Sequence, residues 1–298
     1  MYDGLVVVDK PAAWTSHDVV ARLRRAYGQR RVGHAGTLDP DATGVLLVGL
    51  GRATRLLRFL QETTKVYRGR IVFGIATTTL DASGAVLDQR PMMLTRDEVE
   101  GATRGFLGEI EQLPPMVSAV QIGGRRLHEL AREGKEVERA PRHVRVDRFD
   151  IEEFEPGAYP AATALVECSS GTYVRSLAAD LGVALGGCAH LAGLRRLRVG
   201  SFGLDEAHAL DDVLESPEPK VLSPAAAMRD LDPIALDEEQ ARAVAHGMSF
   251  HCTAFSERDG ERERELGAGP FAMIDAAGNL LAVYERRGGA VKPAVVLA

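Results

Sequence analysis

Apolar residues run unbroken through residues 5–8, bounded by Gly4 and Asp9, and this pattern predicts a short buried strand. Thr15 and Ser16 are helix-capping types. After them Val19, Val20, Leu23 and Tyr27 recur on one helical face, with arginines opposite, which predicts an amphipathic helix. The apolar block 45–50 fits either a strand or the start of a buried helix, because periodicity does not separate the two at that length. Leu56, Leu57, Phe59 and Leu60 suit another helix, and 66–74 reads as a strand. Thr95 and Glu98 form a capping-box pair ahead of a helix carrying Val99, Ala102 and Phe106. Strands are expected near 117–122, 144–149 and 164–168, and a helix over 174–185.

Strands and helices alternate without a regular βαβ rhythm. The expected fold class is therefore α/β mixed in sequence (α+β), built on a largely antiparallel sheet. Pro217, Pro219, Pro224 and Pro233 punctuate 216–233, and a domain boundary is expected there, with domains 1–225 and 226–298. The second part carries a short helix at 237–246 and β-like runs at 271–275, 280–284 and 294–297. Ala277, Gly278 and Asn279 form a hairpin-turn sequence. The charged stretch 257–265 reads as an exposed loop.

With 298 residues, 45% apolar and 26% charged, the chain has the make-up of a two-domain globular protein. No apolar run approaches the roughly 18 residues of a membrane helix, and the N-terminal run lacks the flanks of a signal peptide, so no membrane association and a cytoplasmic location are expected. Cys168, Cys188 and Cys252 are odd in number and widely spaced, which suggests no disulfide framework. Cys188 and His190 lie close together, yet no second ligand pair accompanies them, so no metal is expected. The formal net charge of −6 does not advertise a nucleic-acid binder. Phosphate binding needs only a local basic patch, and two exist: Arg22, Arg24, Arg25, Arg30 and Arg31, then Arg195, Arg196 and Arg198. Either cluster by itself reads as a solvated face.

The most informative stretch is Gly-His-Ala-Gly-Thr-Leu-Asp-Pro-Asp-Ala-Thr-Gly over 33–44, a glycine-rich string around Asp39-Pro40. It closely resembles the signature of the tRNA pseudouridine-55 synthase family, whose members carry a catalytic aspartate in that loop. The resemblance continues through Lys10-Pro11…Thr15-Ser16, with Ala13 where glycine is common, then Lys65-x-Tyr67, Thr77-x-Thr79-x-Asp81 and the block from Gln112 to Ala119. It runs on through Ser169-Ser-Gly-Thr-Tyr173-Val-Arg175 and His190-Leu-Ala-Gly-Leu194-Arg195. The tail resembles, more faintly, a small β-rich PUA-like RNA-binding domain, through Gly278 to Ala282 and Lys292-Pro293. Val117, Gln121 and His128 depart from the family pattern, outside the catalytic loop.

The resemblance implies a pseudouridine synthase catalytic domain and a tRNA-modifying isomerase, an intramolecular transferase. It would break the N1–C1′ bond of uridine 55 in the T-loop, rotate the uracil and rejoin it through C5, without redox chemistry, metal or cofactor. It further implies catalytic roles for Asp39, Tyr67 and Arg175. Asp39 would be nucleophile or sugar-proton acceptor. Burial alone favours the neutral acid, so a cation is needed to keep it ionised, and Arg175 is the family-equivalent candidate. Tyr67 would pack on the uracil, and Leu194 would line the base pocket beside Tyr173. A stacked uridine must be flipped out to reach the aspartate, with His34 filling the vacated stack. Lys10 is expected to support the loop or the pocket, or else to be an exposed charge. Asp81 is expected to hydrogen-bond near the uridine or in a turn. Arg22, Arg24 and Arg25 are candidates for phosphate contact. The expected partner is tRNA, through its T-loop and stem, with the protein a monomer needing no protein partner and having an additional tRNA-folding role. Two other readings share the scaffold: a catalytically silent tRNA-binding or folding protein, and a guide-RNA-dependent pseudouridine synthase. The trio Asp39, Tyr67 and Arg175 speaks against the first. The Lys10-Pro11 motif so near the start speaks against the second.

Overall fold

The computed structural model describes residues 1–116, 121–122, 125–126, 137, 139–255, 258–259, 262–263 and 266–297. Val117 and His128 lie outside the described residues. The strand expected over 117–122 is described only as the backbone of Gln121–Ile122, and the loop expected over 257–265 only as two short backbone pieces.

The elements, in chain order, begin with β1 (Gly4–Lys10) on the first apolar run and α1 (Ser16–Ala26), closed by a capping box between Thr15 and Asp18. β2 (Val32–Ala35) and β3 (Thr43–Leu50) bracket the glycine-rich string. The block at 45–50 is thus a strand. Its pairing with β2, from Val32 opposite Leu50 to Ala35 opposite Leu47, settles it, with Gly44 (φ 102°) and Gly51 (φ 56°) marking its ends. A 3-10 turn (Gly51–Leu56) leads into α2 (Leu57–Gln61). β4 (Lys65–Phe73) is followed by the hairpin of β5 (Ile75–Thr77) and β6 (Val86–Gln89). α3 (Arg96–Thr103) carries the Thr95–Glu98 capping box and gives way to a 3-10 turn that ends at Phe106. β7 (Gly108–Gln112), β8 (Gln121–Ile122), β9 (Arg125–Arg126), β10 (Arg142–Glu155) and β11 (Ala161–Cys168) precede α4 (Val174–Ala184) and β12 (Ala189–Val199). Next come β13 (Phe202–Gly203), β14 (His208–Ala209), α5 (Leu210–Glu215), α6 (Pro224–Ala227), β15 (Asp232–Ala235), α7 (Glu238–Ala245) and β16 (Phe250–His251). β17 (Arg258–Asp259), β18 (Arg262–Glu263), β19 (Phe271–Ile274), β20 (Leu280–Arg287) and β21 (Ala290–Val296) complete the order.

Two compact units result. The first comprises Met1–Pro40, Val45–Gln61 and Gly200–Ala298, and the second Asp41–Gly44 and Glu62–Val199. In the first, β1 lies between β14 and β3, and β2 pairs antiparallel with β3 so that His34 faces Val48. Leu5 to Val8, Val19, Val20, Leu23 and Val45 to Val48 are all at most 2% exposed, so the apolar face of α1 and both strands form one core. Burying each such side chain contributes about 1.5–3 kcal/mol. The proline-punctuated stretch is not bare linker. Leu222 and Leu5 exchange backbone hydrogen bonds of 2.9 and 2.8 Å, and Ser223 caps α6. A separate sheet, in the order β15-β19-β20-β21-β16, has its own core around Val244, Phe271, Met273, Ala282 and Tyr284. Its β19–β20 turn is held by Asp275, whose carboxylate accepts the amides of Ala277 and Asn279.

The second unit is built on the order β12-β4-β11-β10-β7, antiparallel throughout, with Thr43–Gly44 alongside Arg195–Arg196 in parallel. Its core gathers Val174, Leu177, Ala178 and Leu181 of α4, Val99 of α3 and the inward residues of the sheet. Antiparallel pairing therefore predominates, as the mixed pattern predicted. Among the described residues no helix is long and apolar enough to cross a membrane, a statement about helices only.

Candidate active site

The candidate residues Lys10, His34 and Asp39 belong to the first unit, and Tyr67, Asp81, Tyr173, Arg175 and Leu194 to the second. In the first, the ladder between β2 and β3 ends at Ala35 and Leu47, and the chain passes Gly36 (φ 87°) into an irregular stretch that holds Asp39. Asp39 is half-buried. The residues on either side of it are tied down. The Leu38 amide donates to the Ser16 hydroxyl at 2.9 Å, and the Pro40 carbonyl accepts from Lys10 Nζ at 2.9 Å. Lys10 also donates to the carbonyls of Pro11 (2.9 Å) and Trp14 (2.6 Å) and is fully buried. The reading of Lys10 as an exposed charge is thus corrected: three carbonyl oxygens replace its hydration, and it joins the 10–16 loop to the loop of Asp39.

Arg22, Arg24 and Arg25 lie on the solvent face of α1. Arg22 stacks over Trp14, 5.0 Å from its ring centre. Arg24 donates to the Val32 carbonyl at 3.1 Å and lines an open groove of about 510 Å³. His34, Arg30 and Arg31 line the same groove, joined by Arg55 and Arg58. Arg55 and Arg58 stand three residues apart, a helical spacing that puts both on one side of the turn. That spacing is a signal in the sequence, but only the fold places them beside Arg30 and Arg31. Arg55 also donates to the Val296 carbonyl at 2.6 Å, and Arg58 pairs with Glu285 at 3.2 Å.

In the second unit, Tyr67 is half-buried on β4, where it packs against the core. Leu194 on β12 is likewise half-buried, with its methyl group 3.7 Å from the point where a side chain on Gly69 would begin. Glycine at 69 leaves that space to Leu191, Leu194 and Val174. Tyr173 precedes α4, and the Gln112 side chain fixes its backbone in both directions: Tyr173 N–H to Oε1 at 2.7 Å, and Nε2 to the Tyr173 carbonyl at 3.1 Å. Gln112 is 2% exposed. Gln112 opens one of the family-like blocks, but no local pattern names its partner, which is 61 residues away.

Arg175, in the first turn of α4, is 4% exposed. A buried cation at a helix N-terminus is disfavoured both by desolvation and by the helix dipole. Asp81 offsets this, with Oδ2 accepting from Arg175 Nη1 at 3.2 Å, while the Thr79 carbonyl accepts from the same nitrogen at 3.1 Å. The other oxygen of Asp81 accepts from the Ser83 amide (3.0 Å), the Ser83 hydroxyl (2.6 Å) and the Thr79 hydroxyl. The Thr-x-Thr-x-Asp element is thus a turn that holds a carboxylate against a buried guanidinium.

The Arg195–Arg198 cluster is not a uniformly solvated face, and this corrects the pattern-based expectation. Arg196 is 1% exposed, Arg195 donates to Thr43 at 3.2 Å, and Arg198 is exposed beside Glu167. Gly44 explains part of this, because a side chain there would begin 2.1 Å from the Arg196 carbonyl, so glycine alone lets the two strands meet. Nearby, burial and then the charge of Arg196 lower the Lys65 pKa to about 8, and burial pushes the Cys168 thiol up to about 11. His190 is buried with Nδ1 3.1 Å from the Ile75 carbonyl. Among the described residues no three His, Cys, Asp or Glu side chains group as metal ligands.

Comparison with known proteins agrees with the motifs. Residues 24–174 match the model of the N-terminal domain of the TruB family of pseudouridylate synthases, and residues 175–230 match a tRNA pseudouridylate synthase B C-terminal domain. The chain is 46% identical to the tRNA pseudouridine synthase B of Thermobifida fusca, over 100% of this chain and 99% of that one. It is 48% identical to the enzyme of the same name from Symbiobacterium thermophilum, over 83% of each. Its fold is similar to a chain in a structure of an H/ACA RNP bound to a substrate RNA containing 2′-deoxyuridine, with a TM-score of 0.73 at 23% identity, covering 99% of this chain and 85% of that one. With the motifs in family order from Lys10 to Arg195 and relatives of this identity along the whole chain, the protein belongs to the TruB family of pseudouridylate synthases.

Proposed function

We propose that this protein isomerises uridine 55 in the T-loop of tRNA to pseudouridine, with Asp39 as the catalytic carboxylate. The observation that carries the reading is the loop of Asp39 itself. The residues before and after it are pinned by Ser16 and Lys10, so a half-buried carboxylate is held on a fixed backbone. Such fixing suits a group that must meet one carbon of a ribose in one orientation. Asp39 acts at the sugar as nucleophile or as proton acceptor. Arg175 supplies the compensating positive charge, Tyr67 packs on the uracil, and Leu194 and Tyr173 bound the base pocket. The target uridine is flipped out of the T-loop, and His34 takes the vacated stack. Phosphates run along the arginine groove that Arg24 lines, and Arg22 and Arg25 on the solvent face of α1 add phosphate contacts, because folded RNA is read through shape and backbone. The β-rich sheet of 226–298 is the second, PUA-like domain and adds RNA-binding surface. The protein works as a cytoplasmic monomer, without metal, cofactor or protein partner, and a tRNA-folding role accompanies catalysis.

The test is tritium release from unmodified tRNA labelled at uracil C5, with the product mapped. Wild type is expected to release tritium and form pseudouridine at tRNA position 55. Asp39→Asn is expected to release none while binding tRNA within about tenfold of wild type, since only the reacting oxygen is lost. Turnover by Asp39→Asn would remove the catalytic assignment. Silence of the wild type with tRNA bound would make the protein a binding or folding factor.

A further inference from the structure

We propose that Ser16 is a positioning residue for Asp39, its buried hydroxyl clasping the backbone of Leu38. This rests on the assignment of Asp39 as the catalytic carboxylate.

Ser16 opens α1 and is 1% exposed. Its hydroxyl oxygen accepts the Leu38 amide at 2.9 Å, and the hydroxyl donates back to the Leu38 carbonyl at 3.3 Å. Leu38 sits where the chain has left the β2–β3 ladder, so its backbone groups have no strand to pair with. Buried backbone donors and acceptors need partners, and here one side chain serves both. The Leu38 side chain is itself 3% exposed, so the residue ahead of Asp39 is anchored by packing and by the clasp together.

The clasp is rigid because its base is rigid. Ser16 lies within the Thr15–Asp18 capping box, which fixes the first turn of α1, and Val19, Val20 and Leu23 bury the helix against the core. Lys10 holds the Pro40 carbonyl on the far side of Asp39. With both neighbours fixed, the direction in which Asp39 leaves the backbone is set by α1 and β1, elements far from it in sequence. Removing the hydroxyl strands the two Leu38 backbone groups and lets the loop shift by a fraction of an ångström. Displacement of a reacting group on the ångström scale costs up to about 100-fold in rate.

The experiment compares Ser16→Ala, Val20→Ala and Asp39→Asn with wild type. It measures the single-turnover rate of tritium release, the affinity for the same tRNA, and Tm. Val20→Ala loosens α1 without touching the clasp. Ser16→Ala is expected to slow the chemical step roughly 10- to 100-fold with unchanged affinity. Val20→Ala is expected to keep its rate despite an equal or larger drop in Tm. A normal rate in Ser16→Ala beside a silent Asp39→Asn overturns the Ser16 proposal and leaves Asp39 standing. Equal rate losses in Ser16→Ala and Val20→Ala, or a loss of affinity matching the loss of rate, overturn it too, since the hydroxyl would then only stabilise. An active Asp39→Asn removes the catalytic reading and the Ser16 proposal with it.

Discussion

Arg175 Nη1 and Asp81 Oδ2 stand 3.2 Å apart, across 94 residues of sequence, with the arginine 4% exposed. The pair turns a disfavoured buried cation at the start of α4 into a fixed one. Its acid is oriented in turn by Thr79 and Ser83, so the guanidinium has little freedom to reorient.

Asp81→Asn keeps the shape of that turn but removes the charge opposite Arg175. Breaking a fully buried ion pair from one side costs roughly 3–5 kcal/mol. The Asp81 side chain retains 21% exposure and asparagine retains hydrogen-bonding atoms, so the expected loss falls below that range. Urea denaturation should report it as a lower midpoint with an unchanged slope. Tritium release should fall as well, because one of the contacts that orient Arg175 would be weakened. Unchanged stability and rate together would mean that Arg175 is held without Asp81.

The arginine groove predicts a salt signature. Arg30→Gln with Arg31→Gln should weaken tRNA binding and flatten the dependence of log Kd on log salt by about 0.7–0.9 for each phosphate no longer neutralised. These two residues line the groove, whereas Arg22 is stacked on Trp14 and Arg25 is absent from the lining. The same pair of changes at Arg22 and Arg25 should therefore have the smaller effect. Filter binding between low and moderate salt checks both, and an unaltered slope in the Arg30/Arg31 variant would exclude the groove as the phosphate tract.

Ala13 has φ 63° in the loop between β1 and α1. A side chain in left-handed backbone costs about 1–2 kcal/mol, and glycine returns part of that as extra freedom in the unfolded chain, about 0.4–1 kcal/mol. Ala13→Gly should raise stability by up to about 1.6 kcal/mol, read as a higher denaturation midpoint. A lower midpoint would show that the methyl group packs well enough to outweigh its backbone strain.

Much of the local structure was legible in the chain. The capping residues Thr15 and Thr95, the spacing of Val19, Val20 and Leu23, and the apolar run before Asp9 each determine an element through contacts a few residues apart. The motif around Asp39 marked the family. β12 was not legible as a strand, because bulges after Leu191 and Arg196 break the two-residue alternation that would have revealed it. Its arginines consequently read as one solvated face, although Arg196 is buried. Lys10 was ambiguous for a similar reason: its burial depends on three carbonyls, one of them 30 residues away. Only the tertiary structure decided that Arg175 meets Asp81, that Gln112 fixes Tyr173, that Ser16 holds Leu38 and that Arg55 joins Arg30 in one groove. The sequence by itself determines which residues cap, turn, alternate and carry chemistry, because those properties act over one or two turns of chain. Which of them meet is decided by sheet register and helix packing, which act between segments that no local pattern connects.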